Sequence, residues 1–186
     1  MTHPLQKYRY CPVCGSQRFV VATVKSKRCD DCGFELFMNP SASVAVFIRN
    51  ERGEVLFVVR ASEPAKGTLD LPGGFTDIGE TVEEAVRREV MEETGLRVGT
   101  MRYLFSLPNS YLYSGLTIPT MDFFFECTVD DLSTLHASDD AAACRWLRLD
   151  EVNLEEIGLD SIRRACEKLR GKEAPPRPSP KERERW

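Results

Sequence analysis

The sequence has no long hydrophobic run. Its longest apolar stretches, such as Val44–Ile48 and Val55–Val59, are strand-length, whereas a membrane-spanning helix needs about 20 predominantly apolar residues. No apolar segment follows Lys7 and Arg9 near the start, so the pattern of a secretory leader is missing. The expectation is a cytoplasmic protein with no membrane partner. An excess of positive charge is also missing: 25 Lys and Arg stand against 29 Asp and Glu, a net charge of −4. Bulk charge therefore does not hold the chain on nucleic acid or an anionic membrane. There is no internal repeat beyond a duplicated cysteine motif.

What is present is ordinary for a globular protein, with 42% hydrophobic and 29% charged residues. At 186 residues the length corresponds to roughly 1.2 typical domains, one compact domain plus something small. A core domain of about 150 residues buries enough surface to need no disulfide staples. The seven cysteines then need another explanation, since disulfides are rare in the cytosol.

Four of them form two Cys-x-x-Cys-Gly motifs, Cys11/Cys14 and Cys29/Cys32, fourteen residues apart. Each motif can close two thiolates on one ion, and two motifs supply the four soft ligands of tetrahedral Zn²⁺. Duplication argues against a redox pair. Four cysteines leave no open coordination position, so the zinc role is structural. Cys127, Cys144 and Cys166 lie among apolar neighbours and read as small buried hydrophobes.

Ser43–Arg49 and Val55–Arg60 read as strands, with Asn50–Gly53 between them as a hairpin turn. Leu71-Pro72-Gly73-Gly74 breaks the chain. Thr81–Thr94 reads as a helix, with Thr81 and Glu84 as a capping box, Gly95 at its end and an apolar stripe of Val82, Ala85, Val86 and Val90. Strands follow near Arg102–Leu107, Met121–Val129 and Cys144–Leu149, with a loop over Ser114–Pro119 and a second helix over Asn153–Leu169. From Gly171 onward, four prolines and eight charged residues read as a disordered tail.

The helix breaks its own rules. Glu89, Glu92 and Glu93 sit at i, i+3 and i+4, on one face of its last two turns. The macrodipole is negative there and disfavours acids. Like charges about 5 Å apart cost on the order of 3 kcal/mol per pair at an effective dielectric of 20. A hard divalent cation reverses that sign, and carboxylate oxygens are what Mg²⁺ accepts. The Gly-rich approach beside it offers carbonyls to a metal and amides to a phosphate. Arg88 is placed to pair with Glu80 and hold this loop on the helix.

Gly74, five residues, Glu80, seven residues and then Arg88-Glu89-Val90-Met91-Glu92-Glu93-Thr94-Gly95-Leu96 resembles a complete Nudix box. The similarity of layout runs from about Ser41 to Leu169. It implies an α/β (α+β) Nudix fold, an α/β/α sandwich with a mixed sheet, preceded here by a small zinc ribbon. The expected division is a ribbon over 1–38, a Nudix domain over 39–170 and a tail over 171–186. The resemblance implies hydrolysis of a nucleoside diphosphate linked to another moiety. It also implies Mg²⁺ or Mn²⁺ held by Glu89, Glu92, Glu93 and the Gly73 carbonyl, with Gly74, Glu80 and Arg88 in support. Glu93 or Glu89 would orient or deprotonate the attacking water. Asp140, with Asp139 as the alternative, would be a further acid.

A ribbon directly before the box resembles the NADH pyrophosphatase branch. That branch carries Ser-Gln-Pro-Trp-Pro-Phe-Pro-x-Ser after the box. Here Ser106, Pro108 and Ser114 match, with Tyr111 in the aromatic place, while Leu107, Asn109, Ser110 and Leu112 depart, which implies a changed substrate pocket. Phe37, Phe75, Tyr111 and Tyr113 are candidate platforms for the base. NAD(H)-like dinucleotides or ADP-ribose are the favoured substrates. A capped RNA 5′ end is the one nucleic-acid partner compatible with the box, and the oligomeric state, a homodimer included, stays open. The alternative from another class is a catalytically silent Nudix sensor with the ribbon as a docking module.

Overall fold

A computed structural model describes residues 3–173 of the chain. The cysteine-rich segment forms an antiparallel sheet of β1 (Phe19–Thr23), β2 (Ser26–Cys29) and β3 (Glu35–Phe37), in that order. Its buried apolar cluster is only Cys11, Phe19 and Cys29, with Tyr8, Phe34 and Leu36 packed against it. So little apolar surface is a weak anchor for some 35 residues.

The larger part holds two three-stranded sheets. One has the order β4 (Ser41–Ile48), β8 (Leu116–Val129), β7 (Val98–Tyr113), and the other β6 (Leu69–Asp70), β5 (Val55–Arg60), β9 (Ala141–Leu147). β4 runs parallel to β8, while β7 is antiparallel to it, so that sheet is mixed. β4 is buried on both faces, which explains its unbroken apolar run. Ala45 and Phe47 face the core under α2 (Asp160–Glu173). Val44, Val46 and Ile48 face the core under α1 (Val82–Thr94). Helices thus cover opposite faces, the expected α/β/α sandwich.

Four sequence expectations are corrected. β4 and β5 are not a hairpin. They lie in different sheets, joined only by a bridge between Arg49 and Val55, because the other edge of β4 is taken up by the Gly-rich loop. Ser114–Pro119 is not a loop: β7 and β8 continue to a tight tip at Ser114 and Gly115, both with positive φ. Asn153–Leu169 is not one helix. A 3-10 turn over Leu154–Glu156 is followed by α2, which begins at Asp160 and runs through Glu173. The predicted tail therefore starts on helical residues, and its remainder, 174–186, lies outside the described residues. Cys127 and Cys166 are buried, but Cys144 is only half-buried. No helix among the described residues is long and apolar enough to cross a membrane.

Candidate active site and cysteine cluster

α1 is fixed at both ends. The Thr81 side chain accepts from the Glu84 N–H and the Glu84 carboxylate accepts from the Thr81 N–H. Gly95 ends the helix in the left-handed region at φ 68°. The last-turn carbonyls are met by a loop before β9: His136 N–H donates to the Thr94 carbonyl, Ser138 N–H to that of Glu93, and Ser138 Oγ to that of Glu92. The same loop carries Asp139 and Asp140, so capping the helix delivers both acids to the cleft lined by Glu89, Glu92 and Glu93.

The Gly-rich loop docks on β4. Val46 N–H donates to the Pro72 carbonyl and Val44 N–H to that of Gly74, at 2.9 and 2.8 Å. These β4 amides leave the Gly73 carbonyl, the expected metal ligand, untaken. Gly73 has φ 151°, and a Cβ there would lie 2.0 Å from the Val44 oxygen, so only glycine fits. A Cβ on Gly74 would lie 2.4 Å from the Glu89 carboxylate. The loop thus brings bare backbone against the helix.

Arg88 ties the assembly together. It grips Glu80 with two parallel bonds, Nε to Oε1 at 2.9 Å and Nη2 to Oε2 at 2.8 Å. It also reaches the Phe75 carbonyl, Glu89 at 2.8 Å and Glu92 at 3.1 Å. Hydrogen bonds from Arg88, then from the Asp77 N–H, hold the Glu80 carboxyl down at about 2.

Glu93 is 5% exposed. It continues the apolar stripe of Val86 and Val90 into the interior and accepts the Gly73 N–H at 3.0 Å. Burial pushes its carboxyl up to about 8; the Gly73 N–H opposes this, and Asp70, Glu89 and Asp140 add to it. Burial also raises Glu89, against Arg88 and with Glu92 and Asp139. These residues line a cleft of about 350 Å³ that holds eight carboxylates but two arginines, Arg60 and Arg88. Asp139 and Asp140 both line it, and Asp140 is held by Ser62 at 3.1 Å.

The donor set fits hard divalent cations: a crowded, partly buried set of carboxylate oxygens too rich in negative charge for its own two cations. The side chains are not closed on an ion-sized space. Among the described residues, the four cysteines are the one group of three or more ligand side chains whose donor atoms all lie within 4.8 Å, and Arg88 sits between Glu89 and Glu92. The cysteines do fit Zn²⁺. Cys11–Cys32 and Cys14–Cys29 sulfur separations are both 3.6 Å, and a tetrahedron of 2.3 Å Zn–S bonds places sulfurs about 3.8 Å apart. The two motifs fold alike: Gly15 N–H bonds the Cys11 carbonyl and Gly33 N–H that of Cys29, both at 2.9 Å.

The proposed base platforms do not all meet. Phe75 and Tyr111 line the cleft and touch edge to face, with centroids 5.4 Å apart. Phe37 is exposed on β3 in the cysteine-rich sheet. Ser106 and Pro108 do not line the cleft, being on β7 positions that alternate with Asn109 and Tyr111. Tyr113 and Ser114 line a separate depression at the hairpin tip with Glu63 and Pro64.

Sequence reasoning missed Arg60, Asp70, Asn109 and Asp122. Arg60 pairs with Asp70 at 2.6 Å and donates to the Tyr111 hydroxyl at 3.0 Å. Burial raises the Asp70 carboxyl, with Arg60 opposing. The available signal was an aspartate inside an apolar strand-length run, where aspartate is depleted.

The NUDIX domain family model matches residues 39–167. The chain is 28% identical over 163 residues to the "NAD-capped RNA hydrolase NudC" of Shigella dysenteriae serotype 1, covering 87% of this chain and 60% of that protein. The chain thus spans little more than half the length of the curated relatives it matches. Among solved structures it resembles a NUDIX hydrolase from Nitrosomonas europaea, with a TM-score of 0.68 and 21% identity, covering 89% of this chain and 92% of that one. It also resembles a bifunctional NMN adenylyltransferase/ADP ribose pyrophosphatase from Francisella tularensis, with a TM-score of 0.55 and 22% identity, covering 73% and 42%.

Proposed function

The chain belongs to the NUDIX domain family, and from that premise we propose that it is a divalent-cation-dependent hydrolase of the pyrophosphate bond in a nucleoside diphosphate linked to another moiety. NAD(H)-type dinucleotides, free or at an RNA 5′ end, and ADP-ribose are the favoured substrates. The division is a ribbon over 1–38 and a hydrolase domain over 39–170. The observation that carries this reading is the buried Glu93 in a cleft of eight carboxylates. A pyrophosphate brings further negative charge, and like charges at such spacing repel strongly where water is excluded.

When bound, Mg²⁺ or Mn²⁺ would neutralise the pyrophosphate and lower the pKa of a water. Glu89, Glu92, Glu93 and the Gly73 carbonyl would hold it. The protein's own groups do the rest. Glu93, oriented by the Gly73 N–H, or Glu89, oriented by Arg88, positions the attacking water and takes its proton. Asp140 or Asp139 supplies a further acid from the loop that caps α1. Phe75 and Tyr111 receive the base. Cys11, Cys14, Cys29 and Cys32 would hold Zn²⁺, which would shape the ribbon and take no part in the reaction.

The test is release of nucleoside monophosphate from NADH, NAD⁺, ADP-ribose, diadenosine polyphosphates and an NAD-capped RNA, with and without Mg²⁺ or Mn²⁺. Metal-dependent release from a dinucleotide or ADP-ribose is the expected result. Binding without turnover under all conditions would instead identify a sensor.

A further inference from the structure

A buried carboxylate at the floor of the cleft gathers donors from four elements. Asp122 on β8 is 7% exposed. Its Oδ1 accepts from Ser43 of β4 and from Thr120 at 2.6 Å, and its Oδ2 accepts from Ser161 of α2 and from Asn109 Nδ2 of β7 at 3.1 Å. In the cross-strand register Asn109 faces Thr120 and is the diagonal neighbour of Asp122 on one sheet face.

This fixes which way the Asn109 amide points. A carboxylate accepts only, so the nitrogen, not the oxygen, must face Asp122. The Asn109 Oδ1 receives no hydrogen bond, yet among the described residues no buried side-chain oxygen or nitrogen lacks a partner. The oxygen is therefore open to the cleft that Asn109 lines. Two residues along the same face, roughly 7 Å away at strand rise, stands Tyr111, in contact with Phe75.

We infer that Asn109, locked by Asp122, is a specificity-determining residue whose side-chain carbonyl accepts a hydrogen bond from the exocyclic amine of a nucleobase laid against Phe75 and Tyr111. It rests on reading the cleft as a nucleotide site. A neutral acceptor in that place favours an amino base such as adenine and disfavours a base with a bare ring edge or a carbonyl there. A site built to meet a polar group discriminates strongly against an analogue lacking it.

Calorimetric titration of the zinc-loaded full chain in saturating Mg²⁺ tests this with three ligands: AMP, purine riboside 5′-monophosphate, which lacks the amine, and 2′-deoxy-AMP. Wild type is expected to bind AMP about tenfold more tightly than the deamino analogue, the size of one hydrogen bond, and to bind 2′-deoxy-AMP like AMP. Asn109→Leu should bring the ratio to about one. Asp122→Asn, which frees the amide to turn over, should lower it too; should that variant not fold, Asn109→Leu decides alone. Equal wild-type affinities, a ratio kept in Asn109→Leu, or a loss with 2′-deoxy-AMP instead would overturn the assignment. A ratio without hydrolysis of any diphosphate substrate would leave the acceptor standing and remove the proposed reaction. Hydrolysis without a ratio would do the reverse.

Discussion

Glu93 occupies a stripe position that any ordinary helix would give to a valine. Its carboxyl sits beside Asp70, Glu89 and Asp140, an arrangement that local rules disfavour and that the proposed metal role explains. The conflict was legible in the sequence because the macrodipole and like-charge spacing both have a sign that can be read from residue numbers. The depth of each acid was not: Glu92 is far more exposed than Glu93, and only packing decides which of two neighbours turns inward. Glu80 gives a prediction at this scale. Its carboxyl is held at about 2 against an ordinary 4.5. A depressed pKa stabilises the folded state above about pH 4.5, and that contribution is lost as pH falls through 2. The raised carboxyls of Glu89 and Asp70 act in the opposite sense, so the comparison must be with a variant. Glu80→Gln should melt below wild type at pH 7, and the gap in Tm should close as the pH approaches 2. A constant gap would contradict the role given to the Arg88 pair.

At the scale of elements, α1 was legible to its caps because capping is local. The Thr81–Glu84 box and the αL glycine need no partner from elsewhere in the chain. Strand pairing was not legible. β4 and β5 look like a hairpin by sequence distance, yet β4 pairs with β8 far along the chain and with the backbone of Pro72–Gly74. The β7–β8 tip was hidden for a related reason: Ser, Asn and Gly suggest a loop, while a long antiparallel ladder keeps them extended. That misreading also placed Tyr113 and Ser114 in the cleft with Tyr111, when the strand carries them on to the tip, where they line a separate depression. The loop before β9 is an element whose job shows only in the structure. Ser138 caps the carbonyls of Glu92 and Glu93 and is followed directly by Asp139 and Asp140. Ser138→Ala should remove the hydroxyl bond, keep the backbone one, and loosen the acids. Steady-state kinetics should show kcat lowered about three- to tenfold, as expected for misplacing a catalytic group, with KM little changed. An unchanged kcat would mean the loop serves the helix alone.

For the whole molecule, net −4 conceals its placement: much of the acidity is collected in one cleft, while four cysteines gather at the other functional centre. Among the described residues, the cysteine-rich segment buries four apolar side chains, Leu5, Cys11, Phe19 and Cys29, two of them the cysteines themselves. Its order should therefore depend on metal, and elemental analysis should find about one zinc per chain. Removing zinc should abolish hydrogen-exchange protection across β1–β3 and leave that of β4 and β8. A metal-free chain with β1–β3 still protected would contradict the zinc assignment. The central claim concerns the cleft, and Glu93→Gln addresses it most directly. The amide oxygen can still accept the Gly73 N–H, so the fold is preserved while the charge is removed. Assayed for Mg²⁺-dependent release of AMP from ADP-ribose and NADH, the variant is expected to lose about two to four orders of magnitude in kcat, the usual contribution of a positioned acid or base. Full activity in Glu93→Gln would contradict the claim.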